Sequence, residues 1–494
     1  MALYSTFKYG DGTKYGAGEQ SANLRWTFIV AWDGYYGHGN EANRMVDLSV
    51  RRGRSSLIAA GGRGFTPFPP GEATVILDNE DGRFDPFDES SPLYPNVQPG
   101  KFVRLAVLDD GNDTNYEIMR GVISDIQPVK RRDIQQVRIT VVDGLRWLQN
   151  RFIQISVVAD DAKYTLAEQI VNDEGVDWPV VEWPWQIIDN TTAALAIQEF
   201  WWAWRQNAAN AFKELNDAEI SVVFHSRDGK ITWFPRDYAH LRSTTLEQAD
   251  LLDDLARPQP WETIRNDIRA QIYKKIRNEE GGVPTLWTLG EVVAIDDGES
   301  LSFDALFKFE DWKPATNNPG FVYTVNAQAD GGGADLTADV AQTRGGDTGE
   351  VSEGVVVILT NNSGSNGFIT DLHITGRPFY PPDVNGVTAS DTASAAAFGP
   401  KTLDLDSRWA ENYDQQKTQV EWLLSELKDP IIQPIVQLED QPTLQFTPDL
   451  WDRILFTAWE DVSYRVGQIS HQTTSESCQG VRTTFRLEPY LQEV

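Results

Sequence analysis

The sequence contains little of the chemistry on which most metal sites and nucleophilic enzymes depend. It has one cysteine, Cys478, and five histidines, His38, His225, His240, His373 and His471. A single cysteine excludes an internal disulfide and any cysteine-based zinc cluster. The histidines lack the paired spacing that zinc peptidases use. We therefore predict no catalytic residues, no metal and no cofactor, and we expect a chain that is not an enzyme.

Long apolar segments are also lacking. No run of 18 apolar residues occurs, so we predict no membrane-spanning helix. The N-terminus MALYSTFKYGDG has neither the basic region nor the apolar core of a secretory signal. Walker A and dinucleotide-binding glycine patterns are absent as well.

Positive charge is scarce behind the first third of the chain. The formal net charge is −30, from 43 basic and 73 acidic residues. Residues 1–155 contribute 18 basic and 19 acidic residues, so residues 156–494 carry a net −29. Such a body repels phosphates and anionic lipids, which argues against nucleic-acid or membrane-surface binding.

Two local patterns allow a chemical reading beside a structural one. Residues 78–86, DNEDGRFDP, are acidic enough for calcium but lack the spacing of an EF-hand loop, which favours a turn stabilised by its own side chains. His471 and Cys478 could form a nucleophile–base pair, but Cys478 lies in the polar segment TTSESCQG with no helix start to activate it.

Apolar periodicity predicts a mainly β chain with α+β parts. Alternating strands separated by Gly, Asp, Asn and Pro turns fill residues 26–142, which suggests a barrel or sandwich. Helices are expected over 166–172, over 191–219 and before Pro430, where Trp409, Tyr413, Val420, Leu423, Leu424 and Leu427 share one face. We interpret 301–375 as a compact β insert and the Ser/Ala-rich stretch after Pro381 as a linker or strand-edge loop.

Seventeen tryptophans are the most unusual feature of the composition. Trp178, Trp183, Trp185, Trp201, Trp202 and Trp204 cluster in the sequence, and such residues can stack on sugars, fill a core or form a subunit interface. The basic groups of the first third either meet an acidic neighbour or lie in a solvated loop; they are Arg51, Arg52, Arg54 and Arg63, with Lys130, Arg131 and Arg132.

Several segments follow one another along nearly the whole chain: 73–108, 119–128, 207–235, 324–340, 360–380, 396–405 with the helix through Pro430, YRVGQISHQTT (464–474) and FRLEPY (485–490). In this order they resemble phage tail proteins of the baseplate-hub or minor-tail (tail tip) type. The chain departs from the family pattern at Phe398-Gly399, where a tyrosine-glycine pair is usual.

The resemblance implies two tail-tube-like β-barrels, an α+β domain and an inserted small β-sandwich. The domains expected are an N-terminal arm and barrel (1–155), an α+β domain (156–255), a discontinuous second barrel (256–300 plus 430–494), the insert (301–380) and a linker with an amphipathic helix (381–429). It also implies a structural virion protein at the distal end of the tail, assembled in the host cytoplasm, which closes the tail tube and lets DNA pass without binding it specifically.

The partners implied are two further copies in a homotrimer, the distal tail protein ring, the tail tube, the tape-measure protein and downstream tip or fibre proteins. As interface residues we predict Tyr9 and Tyr15 in the glycine-rich arm and Trp183, Trp185, Trp201, Trp202 and Trp204. A receptor- or glycan-binding tip protein and a tail-associated cell-wall hydrolase are the alternative functions.

Overall fold

The computed structural model describes residues 8–9, 13–14, 24–34, 39–58, 65–111, 113–131, 134–179, 186–187, 197–234, 243–247, 250–252, 258–259, 261–277, 282–309, 314–316, 319–345, 353–380, 384–456, 462–473 and 480–489. Tyr15, Trp183, Trp185 and Cys478 lie outside these residues.

The first third forms an antiparallel sheet. A short hairpin of β1 (Lys8–Tyr9) and β2 (Thr13–Lys14) precedes β3 (Leu24–Val30), β4 (Met45–Gly53), β5 (Glu72–Asp78), β6 (Phe102–Asp109), β7 (Thr114–Arg131) and β8 (Ile134–Val142). The six longer strands pair in the order β3–β6–β7–β8–β5–β4. Because side chains alternate across a strand, each strand buries one face, and Phe28, Leu48, Val75 and Ile139 meet in a common core.

A smaller α+β unit follows this sheet. Its elements are α1 (Gly144–Gln149), β9 (Phe152–Ala162), α2 (Lys163–Asn172), β10 (Gln186–Ile187), β11 (Ile197–Asn207), α3 (Ala208–Glu219), β12 (Val222–His225) and β13 (Ile231–Phe234). Asp143 caps α1 by accepting a hydrogen bond from the Leu145 N–H, and Asn207 caps α3 in the same way from Asn210.

The helix predicted over 191–219 is wrong for its first half. Residues 197–207 form β11, which pairs with β9, and only Ala208–Glu219 are helical. The pairing shifts register at two places, and Arg205 adopts a positive φ of 44°. These bulges let the adjacent Trp201 and Trp202 both be buried, which removes the alternation that identifies a strand.

The inserted β-sandwich is present and has its own core. After β14 (Ser243–Leu246), β15 (Asp267–Ile272) and β16 (Ile276–Arg277), it comprises β17 (Thr285–Thr288), β18 (Val293–Ile295), β19 (Ser300–Leu306), β20 (Gly320–Asn326), β21 (Val340–Gly345), β22 (Gly354–Asn361) and β23 (Gly367–Thr375). Strands β17, β18 and β20 pair with β23, while β19 and β21 pair with β22. Val325, Val357 and Ile369 lie in the core between the two sheets.

The Ser/Ala-rich stretch is not a linker. It contributes β25 (Asn385–Ser390) and α4 (Thr392–Phe398), after β24 (Phe379–Tyr380), and leads to β26 (Thr402–Leu405) and α5 (Tyr413–Leu427). Strands β25 and β26 pair with the two edges of β15, and Val420, Leu423 and Leu427 of α5 pack on this sheet. Asp391 caps α4 by accepting from the Ser394 N–H, a signal that the small-residue composition hides.

The last strands join the first sheet. They are β27 (Ile435–Glu439), then α6 (Pro442–Phe446), β28 (Arg453–Phe456), β29 (Val462–Thr473) and β30 (Val481–Pro489). Strand β30 occupies one edge of β29, so β28 and β4 share the other edge. With β14 beside β28 and β27 beside β30, eleven strands form one sheet that links both ends of the chain.

The mainly β fold class with α+β parts is confirmed. The domain boundaries stay a prediction, but the strands described within 256–300 do not pair with the strands described within 430–494. Both edges of β15 are occupied by β25 and β26, while β17 and β18 belong to the sandwich. The edge beside β28 is taken by β14, which comes from the range expected for the α+β domain.

Candidate functional site

The N-terminal and C-terminal strands meet where β4 pairs with β29. We call the region around this pairing the seam and define it by Arg52, Gly53, Arg54, Asp449 and Glu488. Gly53 has a φ of +94°, and a Cβ added there would lie 2.2 Å from the Gly467 carbonyl oxygen. The position therefore requires glycine, both for its conformation and for the close approach of the two strands.

Arg52 connects the seam to the α+β unit. Its guanidinium lies 2.8 Å from the Asp449 carboxylate and donates a 2.7 Å hydrogen bond to the His225 carbonyl. Burial would raise the pKa of Asp449, but Arg52, Arg227 and backbone N–H donors outweigh it and hold that pKa below its usual range. The carboxylate therefore stays charged, and the ion pair is a permanent part of the interior.

Arg54 makes a second buried pair across the seam. It donates two hydrogen bonds to the Glu488 carboxylate, of 2.8 and 2.6 Å, and one of 2.7 Å to the Thr66 carbonyl. Its guanidinium also stacks on the rings of Phe68 and Trp451, at 4.7 and 5.3 Å from their centroids. An arginine that is both bidentate and stacked has a fixed orientation. Arg54 therefore holds the end of β4 in a fixed position relative to β30, which contains Glu488.

The arginines of residues 51–63 were expected either to meet an acidic neighbour or to lie in a solvated loop, and these contacts decide between the two for Arg52 and Arg54. Arg52 and Arg54 meet acidic neighbours, and both neighbours come from the last fifty residues of the same chain. Arg51 is exposed at the surface, and Arg63 lies outside the described residues. Sequence alone could not assign the partners, because more than 390 positions separate each arginine from its carboxylate.

The histidines beside the seam are poorly suited to proton transfer. Burial lowers the pKa of His225 and of His471 to about 3, and nearby Arg52 adds to both shifts. His471 is within hydrogen-bond distance of the Thr483 hydroxyl, with 3.0 Å between Nδ1 and Oγ1. Among the described residues, no group of three or more His, Cys, Asp or Glu side chains could hold a metal ion.

The acidic 78–86 segment is the turn that its side chains were expected to stabilise. The Asn79 side-chain oxygen accepts from the Phe84 N–H at 2.8 Å, and the Asp81 carboxylate accepts from the Arg83 N–H and pairs with Arg44. These acceptors are used within the protein, which is how an Asx turn works.

A second, partly buried cluster joins the sandwich to the body. We call it the junction cluster: Trp202, Glu214, Lys275, Glu353, Arg408, Trp409 and Glu411. Arg408 donates to Glu214 at 3.1 Å and to Glu353 at 2.7 Å, and the Trp202 indole N–H also donates to Glu353, at 2.8 Å. Glu353 comes from the insert, so these bonds tie the sandwich to the α+β unit.

Lys275 is the buried cation of the junction cluster. It lies 2.9 Å from the Glu411 carboxylate and 4.3 Å above the ring centre of Trp409. Burial lowers the pKa of Lys275, and Glu411 opposes that shift. A buried cation between a carboxylate and an indole face has its charge compensated on both sides.

Of the predicted interface residues, the structure describes the side chains of Trp201, Trp202 and Trp204. Trp201 and Trp202 are buried within this chain, 1% and 4% exposed, and both pack against Trp409. They belong to its core, since little of either side chain is available to another subunit. Trp204 is half-buried and lies against Gly354 of the sandwich. The side chains of Tyr9, Tyr15, Trp183 and Trp185 lie outside what the structure describes, so their role stays a prediction.

The whole chain resembles a solved tail protein in fold, although its sequence matches no family. No family model matches it, and no curated protein matches it. Among solved structures, the tail protein from Neisseria meningitidis MC58 aligns over 95% of this chain and 97% of its own, with a TM-score of 0.51 at 8% identity. This chain has the fold of that tail protein. The resemblance to phage tail proteins is thus confirmed at the level of the fold.

Two further solved structures cover most of the chain. The 43 kDa tail protein of prophage MuSo2 from Shewanella oneidensis aligns over 94% of this chain and 98% of its own, with a TM-score of 0.49 at 8% identity. Prophage tail protein gp18 from Listeria monocytogenes EGD-e aligns over 93% and 94%, with a TM-score of 0.41 at 9% identity. None of the helices in the described part of the chain has the length and apolar character needed to cross a bilayer.

Proposed function

We propose that this chain is a structural hub at the distal end of a phage tail, where three copies close the tube and let DNA pass during infection. The seam is the observation that supports this most directly. It joins the strands of the first third and the last strands of the chain into one sheet, and two buried ion pairs hold them together. In this proposal each group of strands contributes one tube-like barrel, so three copies present six.

In this proposal a trimer continues the sixfold symmetry of a tail tube with only three chains. A head-to-tail contact repeated around a threefold axis closes a ring, whereas a twofold dimer does not continue a tube. The partners would be the tail tube, the distal tail protein ring, the tape-measure protein and downstream tip or fibre proteins. The net −29 on residues 156–494 suits a passage in which DNA phosphates meet no cationic trap.

Imaging assembled particles tests the proposal. We expect three copies of the chain, arranged with threefold symmetry, at the tail end far from the capsid, and we expect tails made without the chain to lack this closure. A location in the capsid or in lateral fibres, or two copies related by a twofold axis, would contradict it. Lysis of cell-wall material by the purified chain, or saturable glycan binding, would favour one of the alternative functions.

A further inference from the structure

The loop between β5 and β6 displays an aromatic side chain directly to solvent. We call residues 79–100 the Phe87 loop. Phe87 is 87% exposed, whereas the next most exposed large apolar side chain among the described residues, Phe152, is 62% exposed. Asp85, Asp88 and Glu89 flank it, and no basic residue lies between 84 and 100. An exposed aromatic ring in a polar, acidic surrounding is a feature of binding surfaces.

The loop holds Phe87 in a defined position. Asp85 accepts from the Phe87 N–H at 3.1 Å, Asp88 accepts from the Ser90 N–H at 2.9 Å, and the Ser91 hydroxyl donates to the Arg83 carbonyl at 2.6 Å. Successive backbone hydrogen bonds continue through the loop, and Phe84 and Val97 anchor it in the N-terminal core. A pre-organised loop loses little conformational entropy on binding.

The same chain carries a cavity of complementary character. This proline pocket has a volume of about 410 Å³ and lies where the N-terminal sheet meets α1 and α3. Its walls include Pro67, Phe68, Pro70, Leu145 and Phe212. Roughly 150 Å³ is enough for a benzene ring, so a phenylalanine side chain and part of its loop fit.

The charges that line the proline pocket are all positive, in a protein with a net charge of −30. They belong to Arg51, Arg54 and Lys213, and no acidic residue lines the pocket. Arg54 is engaged with Glu488, and Lys213 also contacts Asp217 at 2.5 Å. Arg51 and Lys213 line the pocket and are both exposed, so a ligand entering from solvent can reach them.

We propose that the Phe87 loop of one copy inserts into the proline pocket of a second copy. Phe87 would fill the apolar pocket, and Asp85, Asp88 and Glu89 would approach Arg51 and Lys213. Loop and pocket are different surfaces of one chain, so the contact is head-to-tail, and repeating it around a threefold axis closes a ring. This inference rests on the proposed function in one respect: the second copy is the neighbour in the trimer.

Substitution tests the contact on the full-length chain by sedimentation over a range of concentrations. Phe87→Ala is expected to weaken self-association roughly thirtyfold or more, as loss of a central aromatic anchor does. Phe152→Ala is the matched control, because it removes an exposed ring that lies outside both surfaces, and it should associate like wild type. Glu89→Arg and Arg51→Glu should each weaken association, and the two together should restore it.

A photo-crosslinking phenylalanine analogue at position 87 identifies the surface contacted. We expect crosslinks to peptides containing residues 65–70, 145–149 or 209–216 of another copy. A monomer at every concentration, unchanged association of Phe87→Ala, or crosslinks to another surface or another tail protein would overturn the inference. Threefold density at the tail end, together with any of these results, would leave the proposed function standing, whereas loss of threefold symmetry in the particle would remove both.

Discussion

At the residue scale, the molecule uses buried charge where most interiors use apolar contacts. Arg52, Arg54 and Lys275 are each almost fully buried, and each has a carboxylate partner within 3 Å. Buried ion pairs contribute little net stability compared with apolar packing, but removing one partner is costly because the other charge stays buried. Their value here is in fixing geometry between segments that are distant in sequence.

The Arg54–Glu488 pair makes this testable. Arg54→Met should lower the free energy of opening at the seam by about 3–5 kcal/mol, because Glu488 is left charged and buried. Arg54→Met with Glu488→Leu should recover most of that loss. Hydrogen exchange of the β4 and β29 amides measures the opening directly. An effect of the single substitution no larger than that of the double one would show that the pair has no such role.

The buried histidines predict sensitivity to acid. A histidine whose folded pKa is about 3, against about 6.5 when unfolded, must remain neutral in the fold, so stability is fully present above pH 6.5 and declines as the pH falls towards 3. His225 and His471 should each cost about 2 kcal/mol at pH 5. His471→Gln should remove the contribution of His471, which is about half of the stability that the two histidines together cost at pH 5.

Hydrogen exchange at β29 and β30, corrected for intrinsic rates, compares pH 7.5 with pH 5. His373→Gln is the control, since that side chain is only half-buried and pairs with Asp371 on the surface of the sandwich. Equal acid sensitivity of wild type and His471→Gln would contradict the assigned burial effect.

At the element scale, sequence periodicity predicted strands and helices well where one face of an element is buried. It predicted the strands of 26–142, the β12–β13 hairpin around Arg227-Asp228-Gly229 and the helix that ends before Pro430. The apolar face expected for that helix was wrong at its start, because Trp409 precedes the helix and Tyr413 is exposed. It missed β11 because bulges place neighbouring tryptophans on the same side. It missed the position of β14 because a four-residue strand that pairs in parallel with β28 has no local signal for a partner two hundred residues away.

The pairing of β4 with β29 depends on Gly53. Gly53→Ala places a methyl group against the Gly467 carbonyl and forces alanine into a left-handed conformation, so we expect β4 to separate from β29, at a cost of about 4 kcal/mol or more. Gly100→Ala isolates the conformational part, since Gly100 has a φ of +89° with open space around it. It should cost only about 1–2 kcal/mol. Limited proteolysis of both variants, probing cleavage near β4, distinguishes the two effects, and equal resistance would contradict the role of the close approach.

At the scale of the whole molecule, collinear resemblance carried more information than any motif. It led to the tail-protein fold from segments spread over nearly the whole chain, although no short pattern pointed there. The seam and the junction cluster could not be predicted from the sequence, because both depend on which of many charged residues approach each other in space. Arg52 with Asp449 and Lys275 with Glu411 become visible only when the strands are placed.

The sandwich is attached so that it can be removed. The Gly376 N–H donates to the Pro284 carbonyl at 3.0 Å, so the two ends of the insert lie side by side, and its core is its own. Replacing residues 285–375 with an Asn-Gly turn should leave the body folded and able to form the proposed trimer.

The deletion breaks the two backbone hydrogen bonds between Ala315 and Phe379 and removes part of the junction cluster. Glu353 leaves with the sandwich, but Arg408 keeps Glu214, so its charge remains paired. The Trp202 indole N–H loses its acceptor, and a buried donor without a partner costs about 1–3 kcal/mol. Loss of the exposed Arg205–Asp304 pair should add no more than about 1 kcal/mol.

Substitution of Trp202 tests this account. Trp202→Phe in the deletion variant removes the indole N–H that has lost its acceptor, so the thermal midpoint of the double variant should rise above that of the deletion alone. The same substitution in the full chain should lower the midpoint, because there the indole still donates to Glu353. A deletion variant that fails to fold, or a Trp202→Phe effect of the same sign in both backgrounds, would show that the sandwich and body form one cooperative unit.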